Sequence, residues 1–316
     1  MSKDKVLEIL EKNRGKTVSG EFIAKTLGIS RASVCKDISK LREEGNEIYS
    51  RTNAGYMLDE SSPALSAAGI KSSMRIPREV VYRPVVDSTN VRAKIMAAEG
   101  ASDGTVVAAD SQTSGHGRRG RNFYSPPGKG VYFSLILRPG ISYMLCRRVV
   151  PLAAVAVSRA VKTVCGAETQ IKWANDIYFR GKKAAGICTE SIGQLGADAP
   201  DALIVGIGIN VLPQEFPAEL DGKAGSLGAR VSRNALIAQC VECIYELLPQ
   251  ISSAEFMDEY RQKCFTLGRE VTVYADDKPQ YRAKAVRIDD DGVLFVEKSD
   301  GSVVPLITEE ASVKAI

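Results

Sequence analysis

At 316 residues, with 44% hydrophobic and 25% charged residues, the chain has the make-up of a water-soluble protein of two or three domains. No apolar run approaches the roughly 20 residues of a membrane span, and the opening Met1-Ser2-Lys3-Asp4-Lys5 is no signal peptide, so a cytoplasmic chain without membrane contact is expected. Seven cysteines without framework spacing and a single histidine argue against a disulfide scaffold and a zinc site, and a net charge of +4 names no partner by itself.

Residues 1–62 read as three helices and a hairpin. Val6, Ile9 and Leu10 share a helical face. Ser19 is placed to cap a second helix carrying Phe22, Ile23 and Leu27, which Gly28 ends. After the short turn Gly28-Ile29-Ser30, a third helix carries Val34, Ile38 and Leu41 at i, i+4 and i+7. The strands Glu47–Arg51 and Gly55–Leu58, joined by Thr52-Asn53-Ala54, have the form of a wing. In a helix-turn-helix, Ser30, Arg31, Ala32 and Ser33 would meet base edges while Lys36 and Lys40 met phosphates. Cations and anions are nearly balanced over this segment, so a helical protein-interaction module is the plainer alternative. The pattern of turn, third helix and wing favours DNA.

A linker with a short helical patch is expected over 63–78. From 79 to 265 strands and helices alternate. Strands are expected at Val80–Val86, Thr105–Ala108, Val131–Leu137, Ile171–Trp173, Ile177–Phe179, Ala185–Thr189 and Ala202–Ile209, and helices at Asn90–Ala98, Pro151–Val164, 233–248 and 254–264. Cys240 and Cys243 fall within one of these helical patterns as small buried residues. From 266 to 316 the period drops to two, with turns at Asp276-Asp277-Lys278, Asp289–Gly292 and Ser299-Asp300-Gly301, as in a small β-barrel.

The most specific stretch is Gly115-His116-Gly117-Arg118-Arg119-Gly120-Arg121. Its glycines let backbone amides approach a ligand, and its arginines suit carboxylate and phosphate. It matches G-x-G-x-x-G literally, but Pro126 and Pro127 soon follow, so it does not open the long helix that a dinucleotide fingerprint requires. If the fold gathers them, Lys172, Lys183 and the loop arginines form a cationic pocket, with Asp176 as a carboxylate for Mg²⁺ beside a phosphate. Asn175, Asn210, Ser88, Thr89, Asn90 and Gln112 offer neutral donors and acceptors for an uncharged polar group. His116 in an exposed loop, Lys183 as a surface lysine beside Lys182, and Trp173 as core support are the plainer readings of those three residues.

These residues resemble the biotin–protein ligase family. Ser111–Arg121 resembles its biotin-binding signature, Lys172-Trp173-Ala174-Asn175-Asp176 its Lys-Trp-Pro-Asn-Asp motif, and Lys183-Ala184-Ala185-Gly186-Ile187 its Lys-x-Ala-Gly-Ile strand. Asp87-Ser88-Thr89-Asn90 and Gly206–Asn210 match two further family elements in the same order. With the N-terminal winged helix and C-terminal barrel, the likeness covers nearly the whole chain and is greatest to the bifunctional type that also represses the biotin operon. It implies an α/β (α+β) multidomain protein: a winged helix-turn-helix at 1–62, a linker at 63–78, a mixed-sheet biotin/ATP-binding catalytic domain at 79–265, and an SH3-like β-barrel at 266–316.

The resemblance also implies chemistry. The biotin carboxylate attacks the α-phosphorus of ATP, with Mg²⁺, and a lysine of the biotin carboxyl carrier protein of acetyl-CoA carboxylase then takes the biotinyl group. Ser88, Thr89, Asn90, Gln112, Gly115, His116, Gly117, Arg118, Lys183 and Gly186 would bind biotin, Arg118, Arg119, Arg121, Lys172, Asn175 and Asn210 the nucleotide, and Asp176 the metal. Lys183 and Arg118 would be catalytic. The adenylate-bound form would dimerise on operator DNA of biotin genes. His116 stands where the family usually has Arg, and Ala174 where it has Pro. A lipoate/octanoate ligase on the same fold, and a sensor-only transcription regulator, are the alternatives.

Overall fold

The computed structural model describes residues 2–51, 54–194, 196–275, 278–307 and 312–315. The first unit is α1 (Ser2–Lys12), α2 (Gly20–Leu27), α3 (Arg31–Glu43) and the antiparallel pair β1 (Ile48–Arg51) and β2 (Gly55–Leu58). Local chemistry sets its boundaries. Ser19 Oγ accepts from the Phe22 amide, Gly28 ends α2 in the left-handed region (φ 64°), and Ser30 Oγ accepts from the Ser33 amide. Val6, Leu10, Ile23, Val34, Ile38, Leu41 and Leu58 close one apolar cluster, in which Leu7 is fully enclosed and Ile9 lies at the margin. Thr52 and Asn53, two residues of the expected wing turn, lie outside the described residues.

Residues 63–78 are not an open tether. They carry α4 (Ala67–Ser73), capped by Ser66, and Leu65, Ile70 and Met74 join the core of the central unit. Gly69 marks the closest approach: a Cβ there would stand 2.0 Å from Asn234 Nδ2 and 2.6 Å from Glu11 Oε1.

The central unit runs β3 (Val80–Val86), α5 (Thr89–Ala98), β4 (Val106–Gln112), β5 (Gly130–Leu137), α6 (Tyr143–Cys146), α7 (Val149–Cys165), β6 (Gln170–Lys172), β7 (Asp176–Phe179), β8 (Lys182–Ile192), β9 (Ala202–Asn210), α8 (Arg233–Leu247) and α9 (Phe256–Lys263). Its seven strands lie in the order β3-β4-β5-β9-β8-β7-β6; only the β3–β4 pair is parallel. Every residue of β5 is buried, because α7 and α8 cover one face of the sheet while Ala93 and Ala97 of α5 pack on the other. Pro84 is tolerated within β3 because this is an edge strand, with no ladder partner on its outer side. Trp173 is buried just after β6, donating its indole N–H to Gly292 O, and its peptide bond to Ala174 is cis.

The C-terminal strands β10 (Glu270–Ala275), β11 (Lys278–Ile288), β12 (Leu294–Glu297), β13 (Val303–Leu306) and β14 (Ser312–Ala315) form one antiparallel sheet, ordered β13-β12-β11-β10-β14. The two outer strands, β13 and β14, do not pair with each other, so no closed barrel is seen among the described residues. The apolar side of the sheet packs into the central unit: Val271, Val273, Ala285, Leu294, Val296 and Val313 belong to the same core cluster. Asp276 and Asp277, expected in a turn, lie outside the described residues. All seven cysteines are free, and Cys240 and Cys243 are buried in α8 as their helical pattern implied. Among the described residues, no helix is long and apolar enough to cross a membrane.

Candidate active site

The Gly/Arg segment folds back on itself. Gly117 N donates to Arg121 O, Phe123 N donates to Gly115 O, and only a single 3₁₀ turn, Arg118–Gly120, interrupts the loop. Arg119 (φ 58°) and Gly120 (φ 68°) both turn through the left-handed region. No long helix opens here, which excludes the dinucleotide-fingerprint geometry.

The tight turn at Arg180 and Gly181 feeds Lys183 into β8, where the register against β7 shifts: Ile177 faces Ala185 but Tyr178 faces Lys183, leaving Ala184 of β8 as the extra residue. Lys183 Nζ comes to 2.6 Å from Asp176 Oδ1, so this lysine faces its partner strand across the cleft rather than open water. Arg118 reaches over from the loop and donates from Nη1 to Asn175 Oδ1 (3.0 Å), while Asn175 Nδ2 donates to Ile187 O (2.7 Å). Lys172 Nζ stands 5.9 Å from the centre of the Tyr178 ring. Burial pushes the Tyr178 hydroxyl up to about 12, so that ring is a neutral wall at physiological pH.

The neutral groups come from the N-terminus of α5 and the end of β4. Thr89 N donates to Gln112 Oε1 (2.9 Å), and Gln112 Nε2 donates to Ser125 Oγ (2.9 Å), which ties the helix to the far root of the loop. Asn90 lies flat on the sheet because Gly206 beneath it has no side chain: a Cβ there would be 2.1 Å from Asn90 Oδ1. Phe123 lies on Gly208 in the same manner, 2.5 Å from where its Cβ would stand. Glycines in β9 therefore let two side chains sit directly on the sheet.

One cavity of about 150 Å³ is lined by both sets, including Ser88, Thr89, Asn90, Gln112, His116, Gly117, Arg118, Arg119, Arg121, Lys172, Asn175, Asp176, Lys183 and Gly186. Two expected site residues stand apart from it. Gly115 packs under Gln112, Ser125 and Phe123, where any Cβ would come within 3 Å of each. Asn210 ends β9 just outside the lining, with Nδ2 donating to Gly225 O (3.1 Å) and Oδ1 buried without a hydrogen-bond partner among the described residues. Sequence reasoning missed Phe123, Cys188, Val313 and Glu190. The pairing of an aromatic with distant glycines was the one available signal; Val313 comes from the C-terminal sheet, which no local pattern ties to this cleft.

Glu190 of β8 accepts from Asn90 Nδ2 (2.8 Å) and from Lys94 Nζ (2.6 Å). Burial alone would raise its carboxyl, but the hydrogen bonds from Lys94 and Asn90, with the charges of Lys94 and His116, hold it below the ordinary glutamate value. His116 Nε2 lies 3.7 Å from Glu190 Oε1, so the loop histidine faces an acid rather than open solvent. Among the described residues, no group of three or more His, Cys, Asp or Glu side chains could hold a metal.

At the other end of the chain, Arg31, Ala32, Lys36 and Lys40 are exposed along α3 and Ser33 is half-exposed. Ser30 is exposed too, but its hydroxyl is engaged with the Ser33 amide (3.1 Å) and hydroxyl (2.9 Å). Arg42 holds the wing instead of extending from it, donating to Ile48 O and Ser50 Oγ.

Residues 82–210 match the biotin/lipoate A/B protein ligase family, and residues 3–57 match an HTH domain. The chain is 35% identical over 307 residues to the bifunctional ligase/repressor BirA of Bacillus subtilis, covering 94% of each protein. This chain belongs to the bifunctional ligase/repressor family of biotin–protein ligases. BirA of Escherichia coli is 28% identical over 308 residues, covering 95% of this chain and 94% of that protein. The biotin–[acetyl-CoA-carboxylase] ligase of Mycobacterium tuberculosis is 30% identical over 69% of this chain and 82% of its own length. Among solved structures, the biotin protein ligase of Aquifex aeolicus in complex with biotin and ATP superposes with a TM-score of 0.64 at 30% identity, covering 76% of this chain and all of that one. These full-length likenesses do not favour the lipoate ligase or the sensor-only regulator.

Proposed function

We propose that the cleft binds biotin and ATP, forms biotinyl-5′-AMP and passes biotin to a lysine of a biotin carboxyl carrier protein, as the ligase function of the family requires. The observation that carries this reading is the meeting, in one cavity, of neutral donors and acceptors with Lys172, Lys183 and the loop arginines. The neutral set suits a polar uncharged head such as a ureido ring; the cations suit a carboxylate beside phosphates.

In the first step a carboxylate oxygen of biotin forms a bond to the α-phosphorus, the bond from that phosphorus to the bridging oxygen breaks, and pyrophosphate leaves. Lys183 and Arg118 supply positive charge where the anionic carboxylate and phosphate approach, offsetting the charge that builds up between them. Arg119, Arg121, Lys172 and Asn175 hold the nucleotide, and Asn210 contributes from beside the cleft. In the second step the carrier lysine nitrogen bonds to the acyl carbon, the carbon–oxygen bond to AMP breaks, and the nitrogen gives up a proton. The loop across Gly115–Arg121 shields the anhydride from water. Asp176, with one oxygen 2.6 Å from Lys183 Nζ, is the carboxylate that would hold Mg²⁺ beside the nucleotide phosphates. Mg²⁺ would neutralise phosphate charge there.

For regulation, residues 1–62 read operator DNA of biotin genes through α3 and the wing, residues 79–265 are the catalytic domain with 266–316 as an SH3-like appendage, and the adenylate-bound chain, in the cytoplasm, is a homodimer. Transfer of biotin to a purified carrier domain tests the ligase. Wild type labels the carrier only with ATP and Mg²⁺, and Lys183→Ala slows labelling by roughly 10²-fold or more. A wild-type chain that never labels the carrier would defeat the reading. Sedimentation with and without biotinyl-AMP tests the dimer: a monomer in both conditions counts against it.

A further inference from the structure

The charged end of the cleft is built on a turn that α9 and the chain after it hold from behind. β6 and β7 form a hairpin in which Lys172 pairs with Asp176, so Trp173, Ala174 and Asn175 make its tip. On one side β8 holds the tip: Ile187 N donates to Asn175 O (3.0 Å), and Asn175 Nδ2 donates to Ile187 O (2.7 Å). On the other side Trp173 N donates to Thr266 Oγ1 (3.1 Å) and the Trp173 indole to Gly292 O (2.9 Å). There too the Tyr260 hydroxyl, from α9, donates to Ala174 O (2.8 Å).

The Tyr260 bond acts on the residue directly before Asn175. A backbone carbonyl only accepts, so the phenol must donate. Burial pushes the Tyr260 hydroxyl well above its ordinary value, so it keeps that proton at any working pH. Tyr260 is 1% exposed and Ala174 4%, which leaves water little access to replace the bond. A buried carbonyl without a donor is unfavourable, so losing the phenol oxygen drives the turn to shift toward another donor. Asn175 moves with it, and Asn175 Oδ1 is the atom that meets Arg118 Nη1 at 3.0 Å. Tyr260 itself stands behind the turn and does not line the cavity, whereas Trp173, Asn175 and Asp176 do.

We propose that Tyr260 is a positioning residue for the nucleotide: by fixing Ala174 O it sets where Asn175 stands in the cleft, and so where Asn175 and Arg118 meet ATP. This rests on the ligase reading above, which gives Asn175 and Arg118 to the nucleotide. The neutral end of the cleft is set by α5 and the end of β4, which Tyr260 does not hold, so the two ligands depend on it unequally.

The test uses the full-length protein and Tyr260→Phe, which removes one oxygen and keeps the ring. Pyrophosphate release at saturating biotin gives the KM for ATP, and calorimetry without nucleotide gives the biotin Kd, both measured below the Tm of the variant. In Tyr260→Phe the KM for ATP rises by about fivefold or more, while the biotin Kd stays within about twofold of wild type. Asn175→Ala raises the KM for ATP by itself. In that background Tyr260→Phe adds less than about twofold, because the group it positions is gone. A merely structural role would lower the Tm, weaken both ligands alike and add its full effect to Asn175→Ala. If Tyr260→Phe leaves the KM for ATP unchanged, if the biotin Kd rises as much, or if the effects of the two substitutions multiply, the assignment is overturned while the ligase reading stands. If wild type with biotin, ATP and Mg²⁺ releases no pyrophosphate, both fall.

Discussion

Single residues at the site act through what they lack as much as through what they carry. Gly208 has room for no more than hydrogen, because Phe123 Cε1 stands 2.5 Å from where a Cβ would go. Gly208→Ala must displace that ring from the cleft. We expect biotin affinity to fall by at least about tenfold with a stability loss of about 1–3 kcal/mol, read by calorimetry and thermal melting. Glu190 sets a pH window. Its folded carboxyl lies below the ordinary 4.5, so the charged network contributes stability that is fully present above that value and is lost as the pH falls through the lower folded value. The stability difference between wild type and Glu190→Gln is therefore constant above pH 4.5 and shrinks below it, in denaturant titrations run across the acid range. A difference that grows on acidification would reverse the sign of this argument.

At the scale of elements, capping chemistry made the N-terminal helices legible. Ser19, Gly28 and Ser30 each do in the fold what their residue types allow, and the apolar spacing of Val34, Ile38 and Leu41 marks the inner face of α3. Ser30→Ala removes an N-cap and lowers stability by about 1 kcal/mol, measurable as a lower Tm. Because the Ser30 hydroxyl is already committed to the cap, the same change should weaken DNA binding less than Arg31→Ala or Lys36→Ala does. Equal losses in a binding titration would assign Ser30 to the DNA. β4 runs to Gln112, four residues past the expected Ala108, since pairing with β3 continues through Ser111 and Gln112 where local hydrophobicity fades. The short helix α6 carried no periodic signal long enough to read.

Across the whole molecule, the start of α8 is where the units meet. Arg233, 4% exposed, donates to Pro63 O (2.6 Å), to Asp110 Oδ1 (2.7 Å) and to Gly130 O (2.8 Å), while its neighbour Asn234 donates to Glu11 Oε1 of α1 (3.0 Å). Asp110 Oδ2 also accepts from Gly128 N near the root of the Gly/Arg loop. One side chain thus ties the linker, the sheet and the loop together. Truncating it strands a partly buried carboxylate and two carbonyls, so Arg233→Ala costs about 3–5 kcal/mol in global stability, checked by denaturant unfolding. A loss below about 1 kcal/mol would show that the junction is not a stabilising centre.

The sequence alone determined the elements and the ligand chemistry, because caps, periodicity and donor types are local: Ser30 caps whatever follows it, and arginines in a glycine loop seek anions in any fold. It also placed Lys183 and Asp176 in separate motifs without showing that the pairing of β7 with β8 would bring them to 2.6 Å. Tertiary structure alone decided which glycines carry which side chains, that Gly115 packs against Gln112, Ser125 and Phe123, and that Val313 reaches the cleft from the C-terminal sheet. It also brought together Asn90, Ser134 and Glu190, which lie on α5, β5 and β8. Contacts between residues tens of positions apart depend on strand order and register, and no local pattern of residue types encodes those.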